Sequence, residues 1–94
     1  MSHQTQLLTL LNTHQTAGQI ESAHLQNIFH FVKQTPACTS RQTLSGHVTA
    51  SAWILSPDGN AALLTHHRKL NRWLQPGGHV DPDDNTIKAA ALRE

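Results

Sequence analysis

Apolar residues recur every three or four positions along the first third of the chain, a spacing typical of amphipathic helices. This pattern covers residues 4–32 and predicts two helices with Gly18 between them. The second helix is expected to end before Thr35-Pro36, because proline lacks the amide donor and disfavours helical geometry in the residue before it. A Thr- and Ser-rich segment then runs to Gly46. We therefore expect a helical N-terminal segment at residues 1–35, followed by a connecting loop.

Beyond Gly46 the apolar period changes to two, which is typical of a β-strand with one face toward the core. The expected inward face consists of alternate apolar residues, namely Val48, Ala50, Ala52 and Ile54. Residues 56–60 read Ser-Pro-Asp-Gly-Asn, a turn sequence in which proline presets the first corner and glycine accepts positive φ. A second strand at residues 61–65 completes a predicted hairpin. Trp73-Leu74 is predicted to be another short strand, with the Trp73 ring in or beside the core.

The end of the chain combines a glycine-rich segment, an acidic loop and a helix. Residues 76–81 read Pro-Gly-Gly-His-Val-Asp, and at Gly77 and Gly78 the backbone can adopt positive φ and approach a ligand closely. Residues 86–94 are good helix formers, and the available N-cap residues are Asp84, Asn85 and Thr86. The alternative is an ordinary glycine turn followed by an exposed helix end. The conjunction of the three features favours a functional motif.

These features resemble the first two thirds of a Nudix box, in which a glycine is followed at fixed spacing by Glu, then Arg-Glu, then Glu-Glu. Gly78 fits the opening glycine, and Arg93-Glu94 fits the Arg-Glu pair. The segment between them is one residue longer than the family spacing, and Asp84 stands where the family has its first Glu. The later Glu-Glu would fall after Glu94. The resemblance therefore implies the N-terminal part of a Nudix hydrolase domain at residues 46–94, truncated within the box.

The resemblance implies an α/β fold in which a mixed sheet is flanked by helices, an α/β/α sandwich that is incomplete at its C-terminus and preceded by a helical extension. It also implies a hydrolase that uses Mg²⁺ or Mn²⁺ to cleave a nucleoside diphosphate derivative or another pyrophosphate. A hard cation held by carboxylates neutralises the diphosphate and activates water. The metal ligands would be Gly78, through its carbonyl, with Asp84 and Glu94. The catalytic pair would be Arg93, which orients the carboxylates, and Glu94. We expect the fragment by itself to be inactive.

A basic stretch upstream supplies candidate substrate contacts. Arg68, Lys69 and Arg72 precede the glycine-rich segment, and arginine's planar fork suits phosphate oxygens. The alternative is a solvated charged loop. At the level of function, the alternative to a hydrolase is a catalytically incompetent Nudix-fold module that binds a nucleotide or a protein. The extra residue before Arg93 and the aspartate at position 84 favour that alternative slightly.

The amino-acid composition bears on nucleic-acid binding, disulfide bonds and cellular location. Seven Lys and Arg balance six Asp and Glu, so no basic surface argues for DNA binding. A single cysteine, Cys38, has no partner for an internal disulfide and no activating neighbour, so we expect an inert thiol. No segment resembles a secretory signal or a membrane span, and a reducing cytoplasm is the expected location. The eight histidines make the net charge responsive to pH near neutrality.

Two further expectations concern surfaces. A transition-metal site at His66, His67 and His79 is disfavoured, because adjacent residues of a strand point to opposite faces. A helix that stops at Glu94 is expected to expose apolar side chains, namely Ile87, Ala91 and Leu92. Exposed apolar patches promote association, so we expect the fragment to self-associate.

Overall fold

The computed structural model describes residues 2–94. Its helices and strands follow in the order α1 (His3–Thr13), α2 (Gln19–Gln34), β1 (Thr49–Ser51), β2 (Thr65–His67), β3 (Arg72–Leu74), β4 (Gly77–His79) and α3 (Ile87–Arg93). The strands form two antiparallel pairs, β1 with β4 and β2 with β3. The predicted α/β class is confirmed.

The two N-terminal helices follow the apolar periodicity of the sequence. Ser2 caps α1, its hydroxyl accepting a hydrogen bond from the Thr5 amide, and Gly18 precedes α2 with a φ of 95°. A residue with a Cβ rarely adopts that φ, which explains a glycine at this corner. The second helix ends at Gln34, immediately before Thr35-Pro36, as predicted. No helix within residues 2–94 is long and apolar enough to cross a bilayer.

The central pairing joins β1 to β4, and its hydrogen-bond pattern decides which residues face each other closely. The Ala52 amide donates to the Pro76 carbonyl over 2.8 Å, so positions 52 and 76 form a hydrogen-bonded pair. Such pairs alternate along an antiparallel ladder. The next hydrogen-bonded pair is therefore Ala50 with Gly78, and Ser51 faces Gly77 in the narrower pair between them.

Gly77 and Gly78 do not use the positive φ that glycine permits, because both residues lie in β4. The reason for glycine is close approach instead. A Cβ on Gly77 would lie 2.6 Å from the Ser51 Cβ and 3.0 Å from the Ala50 carbonyl oxygen. The first distance is shorter than real carbon contacts, so a side chain at position 77 would force the two strands apart. The alternative of an ordinary glycine turn is wrong for the same reason, since these residues are strand residues paired with β1.

The predicted hairpin after β1 is present as a tight turn with little regular strand. The Gly59 amide donates to the Ser56 carbonyl, and Gly59 takes a φ of 75°. Two further amides close the hairpin, Ser56 donating to Ala61 and Leu63 donating to Ile54. Beyond this point the chain enters β2, which pairs with β3 and not with β1.

The prediction that Trp73 packs in or beside the core is wrong. Its side chain is 66% exposed, and its ring lies against the His66 imidazole at a centroid distance of 5.1 Å. The physical reason is that β2 and β3 pack against each other and against no other helix or strand of residues 2–94. The hairpin therefore has no facing layer to cover the indole.

The core consists of two small clusters that meet at Ile87. The first cluster contains Leu7, Val32 and Cys38, and the second contains Ala50, Val80 and Ala90. Ile87 packs against both. The expectation that Ile87 and Ala91 are exposed is therefore wrong, whereas Leu92 is 74% exposed. The boundaries proposed at residues 35 and 46 stay a prediction.

Gly77→Ala tests the close approach of β1 and β4. We expect it to lower the free energy of unfolding by about 1–3 kcal/mol, since overpacking a fitted site costs that much. Urea denaturation followed by circular dichroism measures the change. The matched variant is Gly77→Ala with Ser51→Gly, which removes the nearest clashing atom and should recover part of the loss. Equal stability of Gly77→Ala and the unaltered protein would contradict the packing argument.

Candidate active site

The loop between β4 and α3 is held by its own aspartates. The Asp81 amide donates to the Asp84 carboxylate over 2.9 Å, and the Asp84 amide donates back to the Asp81 carbonyl over 3.0 Å. Thr86 then caps α3, its hydroxyl accepting from the Ala89 amide over 2.9 Å. Of the three predicted N-cap residues, Thr86 has this role. The reciprocal bonds fix the direction in which the Asp84 side chain leaves the loop.

Arg93 joins the end of α3 to this loop and to β4. Its Nε donates to Asp84 Oδ1 over 3.2 Å, and its Nη2 donates to Oδ2 over 2.9 Å. The same Nη2 donates to the His79 carbonyl over 3.1 Å. Two parallel bonds from a guanidinium to a carboxylate give both strength and a fixed orientation. The hydrogen bond from Arg93 lowers the pKa of Asp84, and the bond to Asp84 raises the pKa of Arg93.

Glu94 lies against Gly78 and beside Arg93. A Cβ on Gly78 would lie 2.6 Å from Glu94 Oε1, so only a glycine lets the carboxylate rest this close to the strand. Arg93 Nη1 donates to the same oxygen over 3.4 Å, and the Glu94 side chain is 26% exposed. The structure thus brings together four residues that the sequence singled out: Gly78, Asp84, Arg93 and Glu94.

The donors available for a metal ion are oxygen atoms. The Asp84 carboxylate is engaged by Arg93, and its side chain is 11% exposed. Within residues 2–94, no three His, Cys, Asp or Glu side chains converge as a metal cluster. Of the predicted metal ligands, the Glu94 carboxylate and the Gly78 carbonyl remain available. The strand register directs that carbonyl toward the Ala50 amide, which leaves its second lone pair for a metal ion. Mg²⁺ accepts sites with one or two carboxylates that are completed by water and substrate phosphates. A carboxylate and a backbone carbonyl are therefore suitable types of ligand for this ion.

A cleft of about 590 Å³ opens beside the acidic loop. One wall belongs to the N-terminal part of the chain and the other to residues around the loop; the polar lining includes His3, Thr39, Arg41, His79, Asp81 and Asp84. This volume lies within the range typical of small-molecule sites. Arg41 is the one lining residue whose charge is positive at any ordinary pH. Sequence reasoning missed it, because a single arginine in a Thr- and Ser-rich loop has no motif around it.

The basic residues predicted to bind substrate lie apart from this group. Lys69 lies in the loop between β2 and β3, Arg68 directly follows β2, and Arg72 begins β3; all three are exposed. None forms an ion pair with another residue of the described chain, so all three charges face solvent. Because the β2–β3 hairpin packs on no other helix or strand of residues 2–94, the structure does not bring them to Glu94. Their role as phosphate contacts stays a prediction.

Two contacts from α1 to the loop also escaped the sequence reasoning. His3 Nε2 bonds to the Asp84 carbonyl over 2.6 Å, and Gln6 Nε2 donates to the Asn85 carbonyl over 2.6 Å. The partners are 81 and 79 residues apart in the chain. No local pattern marks such contacts, since a polar residue on a helix surface has many equivalent partners.

A family model described as NUDIX domain matches residues 46–94, just over half of the chain. The chain therefore belongs to the Nudix family, as the motif predicted. Searches of curated proteins and of solved structures found no match. Membership assigns the protein to a family of pyrophosphate-cleaving hydrolases.

The pairing of Asp84 with Arg93 predicts a low carboxyl pKa. Because the pKa is lowered in the folded protein, the pair stabilises the fold above the ordinary Asp value, and the stabilisation is lost as pH falls through the lowered pKa. Carbon NMR titration without added metal should place the Asp84 midpoint below the ordinary range. In Arg93→Ala it should rise.

Asp58 supplies the internal control for this titration. Its pKa is lowered by the Ser56 hydroxyl and the Asn60 amide, neither of which involves Arg93. Arg93→Ala should leave the Asp58 midpoint unchanged, and Ser56→Ala should raise it without affecting Asp84. An Asp84 midpoint that ignores Arg93→Ala would contradict the assignment.

Proposed function

We propose that the protein is a metal-dependent hydrolase of nucleoside diphosphate-linked or related pyrophosphate substrates. The observation that carries the proposal is the meeting of Gly78, Arg93 and Glu94 at the end of the segment matched by the family model. Two of these residues are adjacent in sequence and the third lies on a different element. Their convergence on one face of β4 supports a site rather than an isolated sequence match.

In this proposal Glu94 and the Gly78 carbonyl hold the metal ion, Mg²⁺ or Mn²⁺. When bound, that ion neutralises phosphate charge and lowers the pKa of a bound water. Glycine at position 78 keeps the space between carboxylate and strand free of side-chain atoms. The sequence-based assignment of Asp84 as a third ligand is replaced here by a different role, because Arg93 takes up both of its oxygens.

Arg93 orients Glu94 and balances its charge. The guanidinium is held at three points, by both Asp84 oxygens and by the His79 carbonyl, so its remaining Nη1 donor has a fixed direction. That donor faces Glu94 Oε1. A carboxylate with one oxygen directed by a fixed donor presents the other in a defined orientation, and this reduces the reorganisation needed when substrate arrives.

Part of the substrate is proposed to bind in the cleft beside the acidic loop, whose lining includes Asp81 and Asp84 but not Gly78, Arg93 or Glu94. Arg41 lines that cleft, and its guanidinium suits bidentate contact with phosphate oxygens. The exposed cations Arg68, Lys69 and Arg72 remain a second proposed set for an outer part of the substrate. Neither set identifies the group attached to the diphosphate.

Glu94→Gln tests the proposed reaction. It keeps the size of the side chain and removes the charge, so kcat should fall by about 100-fold or more, because metal-assisted charge stabilisation is worth several kcal/mol. The assay measures phosphate and nucleotide release with Mg²⁺ from a panel of nucleoside triphosphates, dinucleotides and nucleotide sugars, using the full gene product. The matched control is Asp83→Asn, which removes an exposed neighbouring charge and should leave kcat within about twofold.

The same panel separates the hydrolase from a binding module. The observations that favour binding without turnover are the extra residue before Arg93 and the aspartate at position 84, whose two oxygens Arg93 engages. Tight nucleotide binding by calorimetry with no product released by the unaltered protein would establish the module and reject the hydrolase.

Replacement of Arg41 tests where the phosphates bind. Arg41→Ala should raise KM by about 10- to 150-fold with kcat nearly unchanged, since a hydrogen bond to a charged group is worth about 1.5–3 kcal/mol. The comparison variant replaces Arg68, Lys69 and Arg72 with Ala together and should change KM less. A larger effect of the triple variant would place the charged end of the substrate on the β2–β3 hairpin.

A further inference from the structure

The first turn of α1 is bonded to the loop that precedes α3. His3 and Gln6 are three positions apart, so they share one face of the helix. They reach two consecutive carbonyls, those of Asp84 and Asn85. Both carbonyls lie immediately before the N-cap of α3. Two bonds to adjacent peptide groups restrict the position and the tilt of the loop together, which a single bond does not.

The acceptor at the loop determines which atom of His3 donates to it. A backbone carbonyl has no hydrogen to donate, so His3 Nε2 carries a proton and donates to the Asp84 carbonyl. The other ring nitrogen, Nδ1, lies 2.9 Å from the Thr39 hydroxyl, which can donate to it or accept from it. The imidazole is thus held at both ends, between the loop at residues 36–46 and the acidic loop. Because the ring is rigid, it fixes the distance between the Thr39 hydroxyl and the Asp84 carbonyl.

Apolar packing supports the same contact. Leu7 lies four positions after His3 and is buried, and Ile87 of α3 packs against its cluster. The hydrophobic contact holds α1 against α3. The hydrogen bonds from His3 and Gln6 fix the position of α1 relative to the loop before α3. This division of labour is general, because burial is non-directional and hydrogen bonds are directional.

The held loop in turn determines where Arg93 is anchored. The Asp84 carbonyl receives His3, while the Asp84 carboxylate receives Arg93. Both groups belong to one residue, so a displacement of its backbone moves the anchor of the guanidinium. Arg93 then contacts Glu94. An unbroken series of bonds therefore runs from α1 to the proposed catalytic carboxylate.

We propose that His3 and Gln6 are positioning residues of the active site, through which the N-terminal helical segment holds the acidic loop and the Arg93–Glu94 end of α3. The expected change in kcat rests on the proposed hydrolase function, whereas the expected change in amide exchange does not. The N-terminal segment is accordingly a component of the site and not a separate appendage.

The test compares three single variants by amide hydrogen exchange. His3→Ala and Gln6→Ala should each speed exchange of the Asp81 and Asp84 amides about fivefold, the effect of one lost hydrogen bond. These amides report the loop because each donates within it. The matched control is Gln4→Ala, which removes bonds from the same helix to the Val32 and Lys33 carbonyls of α2. It should leave the loop amides unchanged.

A conservative variant separates positioning from folding. His3→Gln keeps an amide donor near the place of Nε2, and it should restore most of the protection lost in His3→Ala. In an active preparation, Gln6→Ala should lower kcat with little change in KM, because Gln6 lies outside the lining of the cleft, while Gln4→Ala should affect neither. If His3→Ala does not fold, His3→Gln and Gln6→Ala carry the comparison, since each changes one side chain that bonds to the loop.

The outcomes for the two proposals are distinct. Loop amides that exchange equally in His3→Ala and the unaltered protein, or equally fast in Gln4→Ala and His3→Ala, would overturn the positioning role. A full gene product that turns over no substrate of the panel would reject the hydrolase, and the exchange data would still decide whether α1 holds the loop.

Discussion

The bidentate pair between Arg93 and Asp84 is the interaction on which the site depends. It joins the last turn of α3 to the loop before that helix, and a third bond ties the same guanidinium to β4. A helix as short as α3 has little stability by itself, so its end must be fixed by tertiary contacts. Arginine suits this task, because its planar fork offers several donors in fixed directions and keeps its charge at any ordinary pH.

The space that two glycines leave beside β4 is the second constraint. Gly77 faces Ser51 where two antiparallel strands are nearest, and Gly78 leaves room for the Glu94 carboxylate. The two residues are neighbours in β4, so their missing side chains open opposite faces of the strand. The missing side chain of Gly77 lets β1 pair closely with β4. The missing side chain of Gly78 lets the Glu94 carboxylate lie against the sheet. The same dipeptide thus serves the fold and the proposed chemistry.

The N-terminal helices belong to this arrangement through Ile87. It packs against the cluster of α1 and α2 and against the cluster beneath α3, so the two halves of the chain share one side chain. Polar bonds from α1 to the acidic loop act beside that contact. A domain of this size buries few residues fully. One shared apolar contact, together with directional hydrogen bonds, therefore fixes α1 relative to α3.

Sequence alone determined the elements whose cause is local. The helical periods of α1 and α2, the turn at Gly59 and the motif at the end of the chain follow from spacing and backbone freedom, and the family match at residues 46–94 supports the family that the motif indicated. Tertiary structure decided what depends on distant partners. The strand geometry of Gly77, the exposure of Trp73 and the engagement of Asp84 by Arg93 each depend on what lies opposite in space. Periodicity reports which face of an element is apolar, but it cannot report whether another element covers that face.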